Sequence, residues 1–302
     1  MSAPAAPAGP EVRAGALAAA SAYFLWGLVP LYWKQLGGID AVELIAHRLV
    51  WSLFVLLALT AWQGHLGVVW AALRTGRALG PHLLSAILLT GNWLVYVWGV
   101  NTGHVIETSL GYFLVPLVNV AAGRFILHER LRRAQWVAIA SAAAGVAVMM
   151  AQVGRPPWIA LALAATWGGY GLLRKQSPLD ALPALTLETV LFLPLAAGVL
   201  GWGWVAGSGA LGRVDGATHA LLLSAGVITT IPLLLFGYGA RRIRLSTMGL
   251  LQYLAPSVQL VIGVWVYREP FARERALGFG FIWAALALYT ADNLLAARRT
   301  RA

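Results

Sequence analysis

The sequence predicts an all-α membrane protein, ten transmembrane helices arranged as an inverted five-plus-five repeat. Three observations carry that expectation. The chain is 60% hydrophobic and only 11% charged, with a mean hydropathy of +0.74, whereas a soluble domain carries roughly 25% charge to face water. Apolar runs of about 20 residues, the length that crosses a ~30 Å hydrocarbon core as a helix, recur between short polar breaks. Finally, the chain repeats itself. VIETSLGYFLVPLVNVAAGRFILHERLRR, from Val105 to Arg133, returns 140 residues later as LSTMGLLQYLAPSVQLVIGVWVYREPFAR, from Leu245. Pro116 then aligns with Pro256, Asn119 with Gln259, Gly123 with Gly263 and Glu129 with Glu269.

Residues 1–13 are rich in Ala and Pro and are expected to form a disordered cytoplasmic tail. Ala14–Trp33 contains an AAASA stretch that resembles a cleavage site, but the apolar run is too long for a signal peptide and continues to Trp33, so it is read as the first span. The next four are Val42–Trp62, Pro81–Val100, Val105–Leu127 and Ala134–Val153. The second set is Pro157–Arg174, Leu182–Trp204, Ala217–Tyr238, Leu245–Tyr267 and Glu274–Asn293. All should be helical, because lipid offers backbone groups no outside partner. Residues 14–153 and 157–293 thus form the two five-helix units, and residues 294–302 a basic cytoplasmic tail. Between the second and third spans, Leu66, Val69, Trp70 and Leu73 recur at helical spacing beside Arg74 and Arg77. That stretch reads either as an amphipathic surface helix or as a plain linker. Its counterpart, Val205–Gly216, is Gly-rich and reads as a flexible connection.

The net charge of +11 would suit nucleic acid, but the basic residues sit in short clusters between apolar runs, so no nucleic-acid partner is expected. One side of the predicted topology holds Arg13, Arg74, Arg77, Arg124, the Arg130–Arg133 cluster, Arg174, Lys175, the Arg241–Arg244 cluster and the C-terminal arginines. The opposite side holds only Lys34, Arg155, Arg213, Arg268, Arg273 and Arg275. The positive-inside rule therefore places both termini in the cytoplasm. Cysteine is absent, which excludes disulfides and thiolate metal sites. Neither a metal nor a cofactor is expected.

The echo extends beyond the opening stretch. Trp26-Gly27 and Lys34 match Trp167-Gly168 and Lys175 at a shift of 141, Asp40 matches Asp180 at 140, and Leu83–Ala86 match Leu222–Ala225 at 139. With five spans per unit, the second copy enters the membrane upside down. Inverted halves of this kind let a transporter exchange inward-open and outward-open shapes around a site near the midplane.

Several residues at membrane depth are candidates for that site. Pro116 and Pro256 fall about 11 residues into their helices, where a lost hydrogen bond and a kink would make a hinge; ordinary helix packing is the plain alternative. Arg48 lies about six residues into its span and costs about 2.5–3.5 kcal/mol if unpaired near the bilayer centre. It is expected to face a cavity, or else to snorkel outward without a role. Its repeat mate, Glu188, should lie roughly 12 Å away in depth, so Glu107 is the expected partner of Arg48, and Arg174, Lys175 or Arg244 that of Glu188. His47 is either a packed core histidine or a protonatable group. Asn92, Tyr96, Tyr112, Asn119, Gln252, Tyr253 and Gln259, with Thr229 and Thr230, would together line a mixed cavity for an amphipathic organic solute; individually, most could be helix–helix hydrogen bonds. The HER at 128–130 and REP at 268–270 read as turn and cap chemistry.

LWGLVPLYWK, ELIAHRLVWS, GNWLVYVWGVNTGHVIETSLGYFLVPLVNV, LRKQSPLD, LSTMGLLQYLAPSVQ and FGFIWAALALY together resemble the RarD permeases, of the EamA branch of the drug/metabolite transporter superfamily. The resemblance covers about residues 14–293. It implies ten helices in an inverted repeat, an inner-membrane location and secondary transport through a central cavity. It also points to small-molecule substrates such as amino acids or drugs, chloramphenicol being tied to the family name. Where family segments often place an asparagine directly before the proline, this chain has Val115, which removes a polar group there. No Walker A sequence is present, so ATP is not the expected driver. A coupling proton on Glu107, Glu188 or His47 is expected instead, in a protein that works as a monomer or a homodimer. The alternatives are a channel or other non-transporting membrane protein, or a lipid-substrate enzyme; HExxH, Asp-rich and G-x-S-x-G motifs for the last are absent from the sequence.

Overall fold

A computed structural model describes residues 9–102, 104–151, 156–268 and 273–299. It is all-helical, with 86% of residues in helix. Helix α1 (Pro10–Trp33) ends in a short 3₁₀ turn and is followed by α2 (Ala41–Trp62), α3 (Leu66–Arg74), α4 (Gly76–Asn101), α5 (Val105–Phe125) and α6 (Arg133–Met150). Helices α7 (Trp158–Gln176), α8 (Ala181–Ala206) and α9 (Gly216–Arg242) come next. The chain then makes α10 (Leu245–Gln252), α11 (Leu254–Val261) with a π turn at Ile262–Val266, and α12 (Arg273–Arg299). Among the described residues, seven helical segments are long and apolar enough to cross a membrane, one of them formed by α10, α11 and the π turn together. Helices α5, α7 and α12 fall outside that set.

Local chemistry fixes the ends. The Asp40 carboxylate accepts the Val42 and Glu43 amides at 2.9 and 3.1 Å, and Asp215 accepts those of Ala217 and Thr218 at 2.9 and 3.0 Å. Both satisfy donors that the first helical turn leaves over. Asp180, the repeat mate of Asp40, starts α8 without such a bond and pairs with Arg241 instead. The Glu129 carboxylate reaches the start of α10, taking the Leu245 amide at 2.6 Å and the Ser246 amide at 3.1 Å, the cap chemistry expected of HER. Glu269 and Pro270 of REP lie outside the described residues. The stretch after α2 is a helix, α3: Val69 and Ala72 bury against Leu187 while Trp70 stays exposed with Arg74 stacked 4.4 Å from its ring.

The two prolines behave differently. Pro116 lies inside an unbroken α5, whereas the helix holding Pro256 breaks at Tyr253. The proline ring collides with the carbonyl four residues back, here that of Gln252, which is the last residue of α10. Pro256 thereby falls in the first turn of α11, where a missing N–H leaves nothing unpaired.

Helix α6 packs on α12, α5 on α7 and α10, α1 on α9 and α11, α2 on α8 and α9, and α4 on α7 and α8. If α1 is exchanged with α7, α2 with α8, α4 with α9, α5 with α10–α11 and α6 with α12, each of these neighbours maps onto another in the set or onto itself. Close approaches obey the same exchange. A Cβ on Gly27 would lie 2.5 Å from Val258, and one on Gly168 2.6 Å from Val118; glycine is what lets α1 meet α11, and α7 meet α5. Repeat mates also touch directly. Trp26 and Trp167 meet edge-on at 5.3 Å, the Tyr253 hydroxyl donates to the Phe113 carbonyl at 3.2 Å, and the Ser141 hydroxyl donates to the Phe281 carbonyl at 2.9 Å.

Candidate functional site

A slot opens between α2, α4, α8 and α9, with ≈ 390 Å³ of empty space when its mouth is included; only ≈ 20 Å³ of it admits the centres of water molecules. Ligand pockets run to about 300–1,000 Å³, so the slot is drawn nearly shut. Its apolar walls are Leu49, Leu56, Ala86, Leu89, Leu185 and Leu233, and its polar lining is Arg48, Ser52, Thr90, Glu188, Thr189, Thr229 and Thr230, with Trp93 beside them. Arg48 and Glu188 are repeat mates, as are Leu49 and Thr189, and Thr90 and Thr229. Leu56, Leu89, Leu185 and Leu233 belong to the packed cluster that also holds Tyr23, Trp167, Tyr170 and Phe236. Tyr170 and Phe236 stack at 5.7 Å.

Arg48 and Glu188 are held in different ways. The Arg48 Nε donates to the Thr229 hydroxyl at 3.0 Å, and its guanidinium carbon lies 4.3 Å from the Trp93 ring centre and 4.9 Å from that of Trp33. Such cation–π contacts stabilise a partly desolvated charge by about 0.5–2 kcal/mol. The ion pair expected with Glu107 does not form: Glu107 accepts the Ile159 amide at 2.9 Å, tying α5 to the start of α7. Glu188 is paired. One of its oxygens lies 3.3 Å from Arg174 Nη1 and 3.0 Å from His82 Nδ1, all three side chains being almost wholly buried. Arg174 also donates to the Ala181 carbonyl at 3.1 Å, and His82 Nε2 lies 3.3 Å from the Ser177 hydroxyl. Of the three cations expected to serve Glu188, Arg174 does so. Lys175 donates to the Ala240 and Ile243 carbonyls, and Arg244 to the Arg130 carbonyl.

The other candidates do not line the slot, contrary to the expected shared cavity; they bridge helices instead. The Asn92 amide donates to the Leu163 carbonyl at 3.0 Å and to the Thr166 hydroxyl at 2.9 Å, while its oxygen accepts from the Tyr112 hydroxyl at 3.0 Å. Tyr96 packs its ring on Tyr112 at 5.7 Å. Asn119 faces Gln252 at 3.5 Å, Tyr253 bonds Phe113, and Gln259 donates to the Trp26 carbonyl at 3.2 Å. His47 is fully buried, accepting from Trp51 Nε1 at 3.2 Å with Glu43 3.7 Å away, and lies outside the slot's lining. No group of side chains able to hold a metal ion occurs among the described residues.

The sequence reading did not single out His82 or Trp93. His82 lies one residue past the expected start of its span, where a polar group looks interfacial, and leucines stand at the repeat-related positions 221 and 222, so neither depth nor symmetry marked it.

Apolar helices packed around a slot that holds Arg48, Glu188 and Trp93 define a multi-pass membrane protein, and the comparisons make it a membrane transporter of the drug/metabolite type. The EamA-like transporter family model matches twice, over residues 13–151 and 156–291. The chain belongs to the EamA-like transporter family, in its RarD group. It is 48% identical over 299 residues to "Protein RarD" of Streptomyces exfoliatus, covering 97% of this chain and 93% of that protein. It is 38% identical over 290 residues to "Protein RarD" of Escherichia coli strain K12, covering 96% and 98%. A solved crystal structure shares the fold at a TM-score of 0.72 and 21% identity, covering 96% of this chain and 99% of that one.

Proposed function

We propose that the chain is a bacterial inner-membrane secondary transporter, working as an exporter of a small amphipathic organic solute by alternating access. Amino acids and drugs such as chloramphenicol are the first classes to test. In this reading ten helices form two inverted units, residues 14–153 and 157–293, with residues 1–13 and 294–302 as cytoplasmic tails. The observation that carries it is the slot itself: its two ionisable lining residues, Arg48 and Glu188, are repeat mates, so the site straddles the line that relates the two halves. The double family match and the neighbours that survive exchange of the halves support the same reading.

Arg48, Thr229, Trp93 and Glu188 would face the solute. Asn92, Tyr96, Tyr112, Asn119, Gln252, Tyr253 and Gln259 would hold the surrounding helices in register, and Pro116 and Pro256 would serve as hinges, the break before Pro256 bending first. Glu188 bonded to His82 is the preferred carrier of a coupling proton, ahead of Glu107 and His47, because protonating that carboxylate weakens the tie between α4, α7 and α8 from inside the slot. The protein is expected to act as a monomer or a homodimer. No enzymatic step is assigned.

Counterflow in proteoliposomes tests the reading. Vesicles loaded with unlabelled amino acid or chloramphenicol should accumulate the labelled compound, with saturation. A conductance that does not saturate would indicate a channel, and net transport unchanged on collapsing the proton gradient would remove the coupling proton.

A further inference from the structure

The ionisable groups at the slot do not balance. Its lining contributes Arg48 and Glu188, and behind Glu188 stand Arg174 and His82. Both contacts fall on one Glu188 oxygen, its other oxygen has no hydrogen-bond partner among the described residues, and no ion pair joins it to Arg48, which is left without an acidic partner. A charged side chain at membrane depth is costly and is normally offset by another charge or by backbone carbonyls; Arg48 has neither among the described residues. Its polar partner is the neutral Thr229 hydroxyl, which takes Nε. Trp33 and Trp93 lie against the guanidinium. The two terminal nitrogens make no hydrogen bond to a described residue. They form the fork that matches a carboxylate in two parallel N–H···O bonds.

We propose that the slot takes an organic monoanion, with a carboxylate seated on the terminal nitrogens of Arg48 and an apolar or aromatic body lying against Trp93 and the leucine walls. This deepens the transporter reading and rests on it. The solute supplies the negative charge that the site lacks, so the Arg48 cation is offset only while the site is loaded. A neutral solute would leave the guanidinium uncompensated, and a cationic one would meet like charge.

The test uses purified full-length protein in phosphatidylcholine nanodiscs with three probes of one shape: phenylacetate, phenylacetamide and phenethylamine. Binding of tritiated phenylacetate is read by scintillation proximity, with the other two as competitors. The carboxylate should bind about 10- to 100-fold more tightly than the amide, the range expected for hydrogen bonds to a charged group, and the amine should not compete. Arg48→Gln should reduce phenylacetate to the level of phenylacetamide. Equal competition by the amide, competition by the amine, or unchanged phenylacetate binding in Arg48→Gln would overturn the assignment. So would absent phenylacetate binding in protein that exchanges chloramphenicol or an amino acid, an outcome that leaves the transporter standing. If phosphatidylglycerol displaces phenylacetate, Arg48 belongs to a lipid headgroup and the soluble solute is wrong. The isosteric series is read on unmodified protein, so misfolding of the variant cannot mask the result.

Discussion

At the residue scale the best-defended group is Glu188, 2% exposed and held by Arg174, itself 1% exposed. Arg174→Ala would leave a buried carboxylate with only His82 for company. Breaking a buried pair from one side costs about 3–5 kcal/mol, so thermal unfolding in detergent should shift down clearly. Replacing both Arg174 and Glu188 by methionine should recover much of that loss; a double variant as unstable as Arg174→Ala would show that the pair does more than cancel its own desolvation. The Thr229→Val substitution removes the single hydrogen bond to Arg48, about 0.5–1.5 kcal/mol, and should weaken solute binding by roughly 2- to 10-fold while leaving folding intact. That Glu188 takes a basic partner was legible in the sequence, because a charge near the inner end of one span needs an opposite one at similar depth; which of Arg174, Lys175 and Arg244 it takes was not. The contacts of Arg48 were not legible either. Depth alone selected Glu107, whereas the side chain turned toward aromatic rings, which no charge count reveals.

At the element scale the informative comparison is between α5 and the α10–α11 pair, two copies of one sequence pattern with different continuity. Both prolines were legible, but not the break, which depends on whether neighbours support the carbonyl four residues back. The Pro256→Ala substitution restores an N–H and should fuse α10 to α11. If the break is a working hinge, counterflow should slow by about tenfold, equivalent to ~1.4 kcal/mol of barrier, with thermal stability equal or higher; an unchanged rate would reduce the break to packing. Glycine contacts give a second check. Gly27→Ala and Gly168→Ala each force a methyl group onto a valine and should cost about 1–3 kcal/mol. Gly198→Ala, with open space around it, should be neutral. At the start of α9, bonds from the Thr218 hydroxyl and amide hold the Asp215 carboxyl below its ordinary value of 3.8. A depressed acid stabilises its helix end above the unfolded value and loses that contribution as pH falls through the folded one. The first amides of α9 should therefore lose hydrogen-exchange protection, after correction for intrinsic rates, below about pH 4, and Asp215→Asn should abolish that dependence.

For the whole molecule the open question is orientation. Because the native chain has no cysteine, single cysteines report sidedness without prior removal of others. Thr75→Cys, between α3 and α4, should react with a membrane-impermeant maleimide only from the cytoplasmic side, and Ser208→Cys, between α8 and α9, only from the opposite side. Both labelling from one side would overturn the odd number of spans between them. The class of fold was legible from composition, and the repetition that the family model also finds, matching twice, from Trp26, Pro116 and their mates. The slot was less so. Arg48 of α2 and Glu188 of α8 both line it, and their depths along separate helices do not indicate that both face one cavity.

The edge-on meeting of Trp26 with Trp167 carries a consequence for how such a chain could arise. A half-length ancestor pairing with an upside-down copy of itself would press one tryptophan against its twin at that point, which two indoles tolerate well. The same pairing would put identical side chains at the positions now held by Arg48 and Glu188, two arginines or two glutamates across one slot, each repelling the other. Once the two copies became distinct sequences, the two positions were free to take opposite signs. The polarity of the slot, and with it any preference for direction, is thus a property that divergence makes available and that a symmetric pair is denied.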